Sequence, residues 1–194
     1  YLAIAVDRLA DRNSAICSWD ISRDSTRNTF ARQAIPMVWD FAEANPMSTS
    51  TGNFLGAIDW VADVIDACPC NAPGAVKQRD ATTSNGLTNI LISTDPPYYD
   101  NIGYADLSDF FYVWLRRSLA PVYPDLFQTM LVPKTPELVA TPYRFGGSKS
   151  KAQAFFETGL EEAFRHMRAV HDPAYPMTVY YAFKQAENEG EALV

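Results

Sequence analysis

Five stretches of the chain carry apolar side chains every three to four residues, the spacing that places them on one face of a helix. These stretches are residues 1–12, 28–44, 54–65, 107–119 and 152–170. The predicted inward face of the first helix consists of Leu2, Ala5, Val6 and Leu9. Pro36 should kink or restart the second helix, because proline lacks the amide hydrogen that a helix interior uses.

Near-continuous apolar runs bounded by turn residues are typical of strands buried in a parallel sheet. The chain has two such runs, at residues 89–94 and 177–183, and a shorter candidate strand at residues 75–78. Residues 1–70 are thus predicted to be helical, whereas strands and helices alternate in residues 71–194. This order predicts an α/β fold with about three parallel strands and a large helical region at its amino end.

Composition narrows the class of protein. The 194 residues are 47% hydrophobic, which is enough for a core, and the net charge of 16 − 23 = −7 argues against a general nucleic-acid binder. Three cysteines exclude a disulfide framework and suit a reducing compartment, so we predict a cytoplasmic location. No apolar run approaches the ~20 residues of a membrane helix. We therefore expect no membrane partner. Cys68 and Cys70 supply only two of the four ligands that a structural zinc site needs, so we also expect no metal partner.

The most informative stretch is Asp95-Pro96-Pro97-Tyr98, which directly follows the predicted strand 89–94. Ligands of open α/β sheets bind outside the carboxyl ends of strands, so this is where a site is expected. The exocyclic amino group of a nucleobase is a poor nucleophile because its lone pair is delocalised into the ring. The Asp95 carboxylate and the Pro96 carbonyl offer acceptors for its two hydrogens, and the two prolines hold them rigidly. Tyr98 offers a flat face on which an extruded base can stack.

The tetrapeptide resembles the catalytic motif of the amino-group DNA methyltransferases, which methylate adenine N6 or cytosine N4 using S-adenosylmethionine. Its Asp-Pro-Pro-Tyr form is more typical of the adenine enzymes. Longer stretches resemble the adenine-specific DNA methylases described as containing a zinc ribbon: residues 1–20, 27–46, 95–119 and 142–147. The resemblance implies a Rossmann-like methyltransferase sheet, with residues 71–194 as the catalytic part and residues 1–70 as a helical insertion.

The resemblance also implies a cofactor, S-adenosylmethionine, and residues that hold it. Asp80 matches the acidic residue that contacts the adenine amine of the cofactor, and Ala81 would pack on that ring; a turn or a helix N-cap is the alternative role for Asp80. A methyltransferase needs a glycine-rich turn after its first strand, but the nine glycines form no G-x-G. We therefore expect the first strands and half of the cofactor pocket to come from the rest of a longer polypeptide, and this fragment alone to be inactive.

Four further residues are candidates for contact with DNA: Tyr99, Lys134, Arg144 and Lys149. Tyr99 extends the motif, whereas the basic residues fall in or near residues 121–150, a proline-rich segment predicted to be a long irregular loop. Residues 134–151 carry 4 − 1 = +3 and the remainder 12 − 22 = −10. A positive segment that follows the motif helix suits phosphate contacts, and a solvated mobile loop is the alternative.

The predicted reaction is methyl transfer to the amino group of a DNA base flipped out of the duplex, with adenine N6 favoured. Three alternatives keep the enzyme class and change the acceptor: cytosine N4, an RNA base, or a glutamine amide of a protein. A fourth alternative is a degenerate methylase domain that acts as a binding module, and the missing glycine motif supports it.

Overall fold

The computed structural model describes residues 1–30, 34–35, 37–68, 70, 72–84, 86–99 and 102–181. These residues form a mixed fold with four α-helices, namely α1 (Leu2–Ala10), α2 (Phe54–Ala67), α3 (Tyr104–Leu119) and α4 (Lys149–Val170). The strands are β1 (Trp19–Asp20), β2 (Ser25–Thr26), β3 (Ser93–Thr94) and β4 (Thr178–Val179). Short 3-10 helices lie at Pro124–Leu126 and Pro142–Phe145. Within the described residues, every helix is too short or too polar to cross a membrane.

Four of the five predicted helices are confirmed, because α1 to α4 coincide with the stretches of helical apolar spacing. The helix predicted at residues 28–44 is wrong, since none of its described residues is helical. The amide and the hydroxyl of Thr29 both donate to the Asp11 carbonyl, at 2.7 and 2.8 Å. The Ala42 amide donates to the Cys17 carbonyl at 3.1 Å. Contacts to the loop after α1 therefore hold both ends of the segment in a non-helical path.

The sheets are smaller than predicted. β1 and β2 pair antiparallel, whereas β3 and β4 pair parallel, with Ser93 opposite Thr178. The parallel pairing expected of the two apolar runs is thus confirmed, but each sheet of the described residues has only two strands. Residues 75–78 form no strand, and Val76 is 99% exposed, so no burial favours an extended ladder there.

Both parallel strands are also less buried than their apolar sequences predict. Ile92 is buried, but the adjacent Leu91 is 67% exposed, and both residues of β4 are exposed. Ile90 forms an isolated parallel bridge with His171, which a turn at residues 173–175 separates from β4. Pro36 and the last two residues of the predicted strand 177–183 lie outside the described residues.

The fold divides into two compact units. The helical unit consists of Tyr1–Val76 and Tyr104–Thr135, and the strand unit consists of Lys77–Gly103 and Pro136–Val194. The α3 helix therefore belongs with the amino-terminal helices, although it follows the Asp95 motif in sequence.

Within the helical unit, α1 packs against both α2 and α3. Its buried residues are Ala3 and Ala5, whose small side chains allow neighbouring helices to approach closely. Leu2, predicted to face inward, is exposed. Phe30 packs its ring against the half-buried Phe110 and Phe111 of α3, with centroids 5.6 and 5.7 Å apart.

The core of the strand unit forms where α4 meets the segment that precedes it. Ala140, Ala152 and Phe156 are buried together, and three half-buried residues pack against them, namely Leu138, Phe145 and Leu160. The Ser148 side chain caps α4 by accepting a hydrogen bond from the Lys151 amide at 3.3 Å.

We expect Phe156→Ala to lower the free energy of unfolding by about 3–5 kcal/mol, because it removes a buried ring from a small core and leaves a cavity. Chemical denaturation followed by circular dichroism measures the loss. Phe155→Ala is the matched control, since Phe155 is the adjacent ring of the same helix and is only half-buried. Equal losses for the two variants would contradict the assignment of Phe156 to the core.

A pH dependence is expected in the helical unit. Desolvation by burial raises the pKa of Asp7 to about 6, and its buried Oδ1 receives no hydrogen bond from the described residues. Because the folded-state pKa lies above the ordinary value of 3.8, folding stability falls as the pH rises from about 4 through 6. Asp7→Asn should remove this fall in thermal melting temperature and stabilise the protein at neutral pH. The control Asp59→Asn, on the exposed face of α2, should retain the wild-type pH profile.

Candidate active site

The Asp95 motif begins where the parallel pairing of β3 and β4 ends. The Thr178 amide donates to the Ile92 carbonyl at 3.0 Å, and the Tyr180 amide donates to the Thr94 carbonyl at 2.8 Å. Because the two strands run in the same direction, Asp95 and Tyr180 leave the pair at the same edge. The motif therefore lies at the carboxyl edge of a parallel pair, where the sequence predicts it.

Within the motif, an exposed carboxylate lies next to a buried proline. Asp95 is exposed, whereas Pro96 is buried. The Tyr98 hydroxyl donates to Asp95 Oδ1 at 3.2 Å. The Tyr98 ring meets the Tyr181 ring edge-on, with centroids 5.6 Å apart. Asp95 Oδ2 receives no hydrogen bond from any residue that the structure describes, so one oxygen is held by the phenol while the other is open to a ligand.

Tyr99 connects the motif to the core of the strand unit. Its carbonyl accepts a hydrogen bond from the Ala140 amide at 2.7 Å. Its ring packs edge-on against Phe156, with centroids 5.3 Å apart. Tyr99 thus has a structural role through both its backbone and its ring, and its predicted contact with nucleic acid stays a prediction.

A cavity of about 370 Å³ in the strand unit adjoins β3. Its lining includes Asp80 and Ala81, the two residues predicted to hold a cofactor, together with Ile90–Thr94. The volume falls within the ~300–1,000 Å³ of small-molecule sites. The structure therefore brings the predicted cofactor residues together with the strand that leads directly into Asp95.

The Asp80 carboxylate is oriented by the turn that it caps. Asp80 Oδ1 accepts hydrogen bonds from the Thr82 hydroxyl at 2.7 Å and from the Thr82 amide at 2.8 Å. These bonds, the hydroxyl bond above all, lower the pKa of Asp80 below its ordinary value. Asp80 Oδ2 has no donor among the described residues. Asp80 thus fulfils the alternative role of a turn residue while presenting a charged oxygen that an amine can bind.

Two of the predicted phosphate contacts are already engaged within the protein. Lys134, in the helical unit, forms an ion pair with Asp109 at 2.6 Å. Arg144 forms an ion pair with Glu137 at 2.8 Å, and its side chain is only 13% exposed. Lys149, the first residue of α4, is exposed. The role of these residues in DNA binding stays a prediction, with Lys149 the most accessible.

Sequence reasoning missed the part of the cavity wall that α4 supplies, His166, Met167 and Val170. Met167 and Val170 belong to the predicted apolar face of this helix, so their spacing marks them as facing inward but not as lining a cavity. The edge-on contact of Tyr181 with Tyr98 was also missed, because neither residue signals the other in the sequence. In the part of the chain that the structure describes, no three His, Cys, Asp or Glu side chains cluster closely enough to hold a metal ion.

In comparisons with known proteins, the chain matches no protein-family profile, no curated protein and no solved structure.

We expect Thr82→Val to raise the pKa of Asp80 towards its ordinary value, because the substitution removes the hydroxyl donor and leaves only the amide of residue 82. Carboxyl chemical shifts followed by NMR through an acid titration measure the change. Thr83→Val is the matched control, since the Thr83 hydroxyl donates to the Asp80 backbone carbonyl, at 2.9 Å, rather than to the carboxylate. A Thr82→Val titration identical to the wild type would refute this account of how the carboxylate is held.

Proposed function

We propose that the chain carries the catalytic residues of an S-adenosylmethionine-dependent methyltransferase that acts on the exocyclic amino group of a DNA base, with adenine N6 favoured over cytosine N4. One observation above all supports the proposal: an Asp-Pro-Pro-Tyr turn leaves the carboxyl edge of a parallel strand pair with one carboxylate oxygen of Asp95 open to a ligand. The proposal includes the Rossmann-like sheet of this enzyme class, of which β3 and β4 would be two strands.

The residues of the motif have complementary roles in this reaction. The Asp95 carboxylate and the Pro96 carbonyl accept the two hydrogens of the target amino group, which favours a tetrahedral nitrogen and directs its lone pair outward. The methyl transfer leaves an extra proton on the nitrogen, and in this proposal the Asp95 carboxylate receives it. The Tyr98 hydroxyl holds the carboxylate in position, and its ring offers a stacking face to a base extruded from the duplex.

The residues around the 370 Å³ cavity fit the adenine end of the cofactor. The open oxygen of Asp80 suits the exocyclic amine, and Ala81 and Ile92 offer apolar surface for the ring. When bound, S-adenosylmethionine supplies the electrophilic methyl group. No glycine is among the described residues that line the cavity, so the proposal requires the glycine-rich turn to come from outside these 194 residues.

The acceptor is proposed from chemistry rather than from shape. An aspartate at the first position of the motif favours a nucleobase as the acceptor. An RNA base and a protein glutamine are alternative acceptors, because each also presents an amino group for methylation. Among the proposed contacts with the nucleic-acid backbone, Tyr99, Lys134, Arg144 and Lys149, the exposed Lys149 has no ion-pair partner in the described residues. A binding module without activity is the competing function, and the lack of a G-x-G turn in the sequence supports it.

We expect Asp95→Asn in the full-length polypeptide to lower methyl transfer from S-adenosylmethionine to DNA by about 100-fold or more, because the charge that stabilises the developing cation is lost while the shape is kept. Incorporation of labelled methyl groups into DNA, RNA and protein substrates measures the activity and identifies the acceptor. The matched control is Glu157→Gln, which removes one negative charge from the exposed face of α4.

Full activity of Asp95→Asn would exclude the proposed role of the carboxylate. If the wild-type polypeptide bound S-adenosylmethionine but methylated none of the three substrates, the binding module would be the better assignment.

A further inference from the structure

The helical unit contains a separate cavity, of about 280 Å³, whose wall carries two arginines. Arg8 lies in α1, and Arg12 follows its last turn. Trp60 of α2 adds an indole ring, and Thr51 and Asn53 add polar side chains. None of these residues belongs to the strand unit that carries the Asp95 motif.

The two arginines of this cavity form no ion pair within the described residues. Neither Arg8 nor Arg12 lies within ion-pair distance of a carboxylate there, whereas paired basic side chains occur elsewhere, namely Arg27, Lys134, Arg144 and Arg165. The nearest acidic neighbour of Arg12 in sequence, Asp11, directs its carboxylate to Asn28 and to the Thr29 amide. Two like charges that line one small cavity repel each other, so an anion bound between them is favoured.

Both guanidinium groups are held in place while keeping donors available. Arg12 Nη1 donates to the Thr26 carbonyl at 2.8 Å, which uses one of its five N–H groups. The Arg8 guanidinium lies over the Trp60 ring, 4.7 Å from the centroid. Because these contacts restrain the side chains before a ligand arrives, less entropy is lost on binding.

Phosphate is the anion that this arrangement fits best. A guanidinium fork matches the geometry of phosphate oxygens and binds them in a bidentate manner. Trp60 is 59% exposed, so the indole surface that the Arg8 guanidinium leaves uncovered can stack on a base attached to that phosphate. The volume of 280 Å³ is just below the ~300 Å³ at which drug-sized pockets begin, which suits one phosphate with an attached sugar and base.

We propose that this cavity is a phosphate-binding site that takes the phosphate of a nucleotide, either free or within a nucleic-acid strand. The inference does not depend on the methyltransferase proposal, since it uses other residues in the other unit.

The test is calorimetric titration of the chain at low salt with inorganic phosphate, deoxyadenosine monophosphate and a short single-stranded oligonucleotide. Arg8→Gln should weaken binding of the phosphate-bearing probes by about tenfold, the value of one charge-assisted contact. Arg8→Lys, which keeps the charge and loses the fork, should bind with intermediate affinity. The matched control is Arg23→Gln, which makes the same charge change at an exposed site of the helical unit outside the cavity and should bind as the wild type does.

Binding of the free nucleotide would identify a mononucleotide site, whereas binding of the oligonucleotide alone would identify a strand contact, and either supports the proposal. Absence of binding by all three probes, or equal losses for Arg8→Gln and Arg23→Gln, would overturn it. Circular dichroism of each variant separates a loss of binding from a loss of fold.

Discussion

The backbone hydrogen bonds that residues 90–94 make to two separate segments, residues 170–172 and residues 178–180, are the constraint on which the strand unit depends. The parallel pairing of β3 with β4 sets the direction in which the chain leaves both strands. The Asp95 turn and the tyrosines after β4 reach the same edge for this reason. Ile90–Thr94 also line the cavity beside Asp80, so a single set of backbone hydrogen bonds places both the motif and the cavity wall.

The helices were predictable because their signal is local and repeated. Apolar residues of α3 and α4 recur at helical spacing over several turns, and each turn adds to the same signal. The helix expected at residues 28–44 has similar apolar spacing, but Thr29 bonds to Asp11, a partner 18 residues earlier. Spacing along a sequence does not reveal such a partner. The predicted burial of the strands is wrong for a related reason. An apolar run such as residues 89–94 shows that burial is favourable without showing which surface covers it, and Leu91 is left exposed.

In the candidate site too, features that depend on adjacent residues could be predicted from the sequence, and features that depend on distant residues could not. The position of Asp95 after a strand and the turn at Asp80 both depend on adjacent residues; the first was predicted, and the second was an alternative considered for Asp80. The contribution of His166 from α4 and the ring contact between Tyr98 and Tyr181 depend on chain segments that meet only in the fold. The sum of charges in a segment can likewise be read from the sequence, but the ion pairs that its side chains form cannot. Residues 134–151 do sum to a positive charge, but ion pairs to Asp109 and Glu137 engage two of the basic side chains. Arg8 and Arg12, in contrast, form no ion pair with any residue that the structure describes.

The bond between the Ala140 amide and the Tyr99 carbonyl has a consequence for the length of the motif. The Thr94 carbonyl accepts a hydrogen bond from the Tyr180 amide and the Tyr99 carbonyl accepts one from the Ala140 amide, so residues 95–98 lie between two fixed points. With two consecutive prolines in that span, the chain has little slack to redistribute. An insertion or deletion within the tetrapeptide would change the number of residues between these two hydrogen bonds, whereas a substitution keeps that number. The length of the turn is therefore a constraint separate from the chemistry of its side chains.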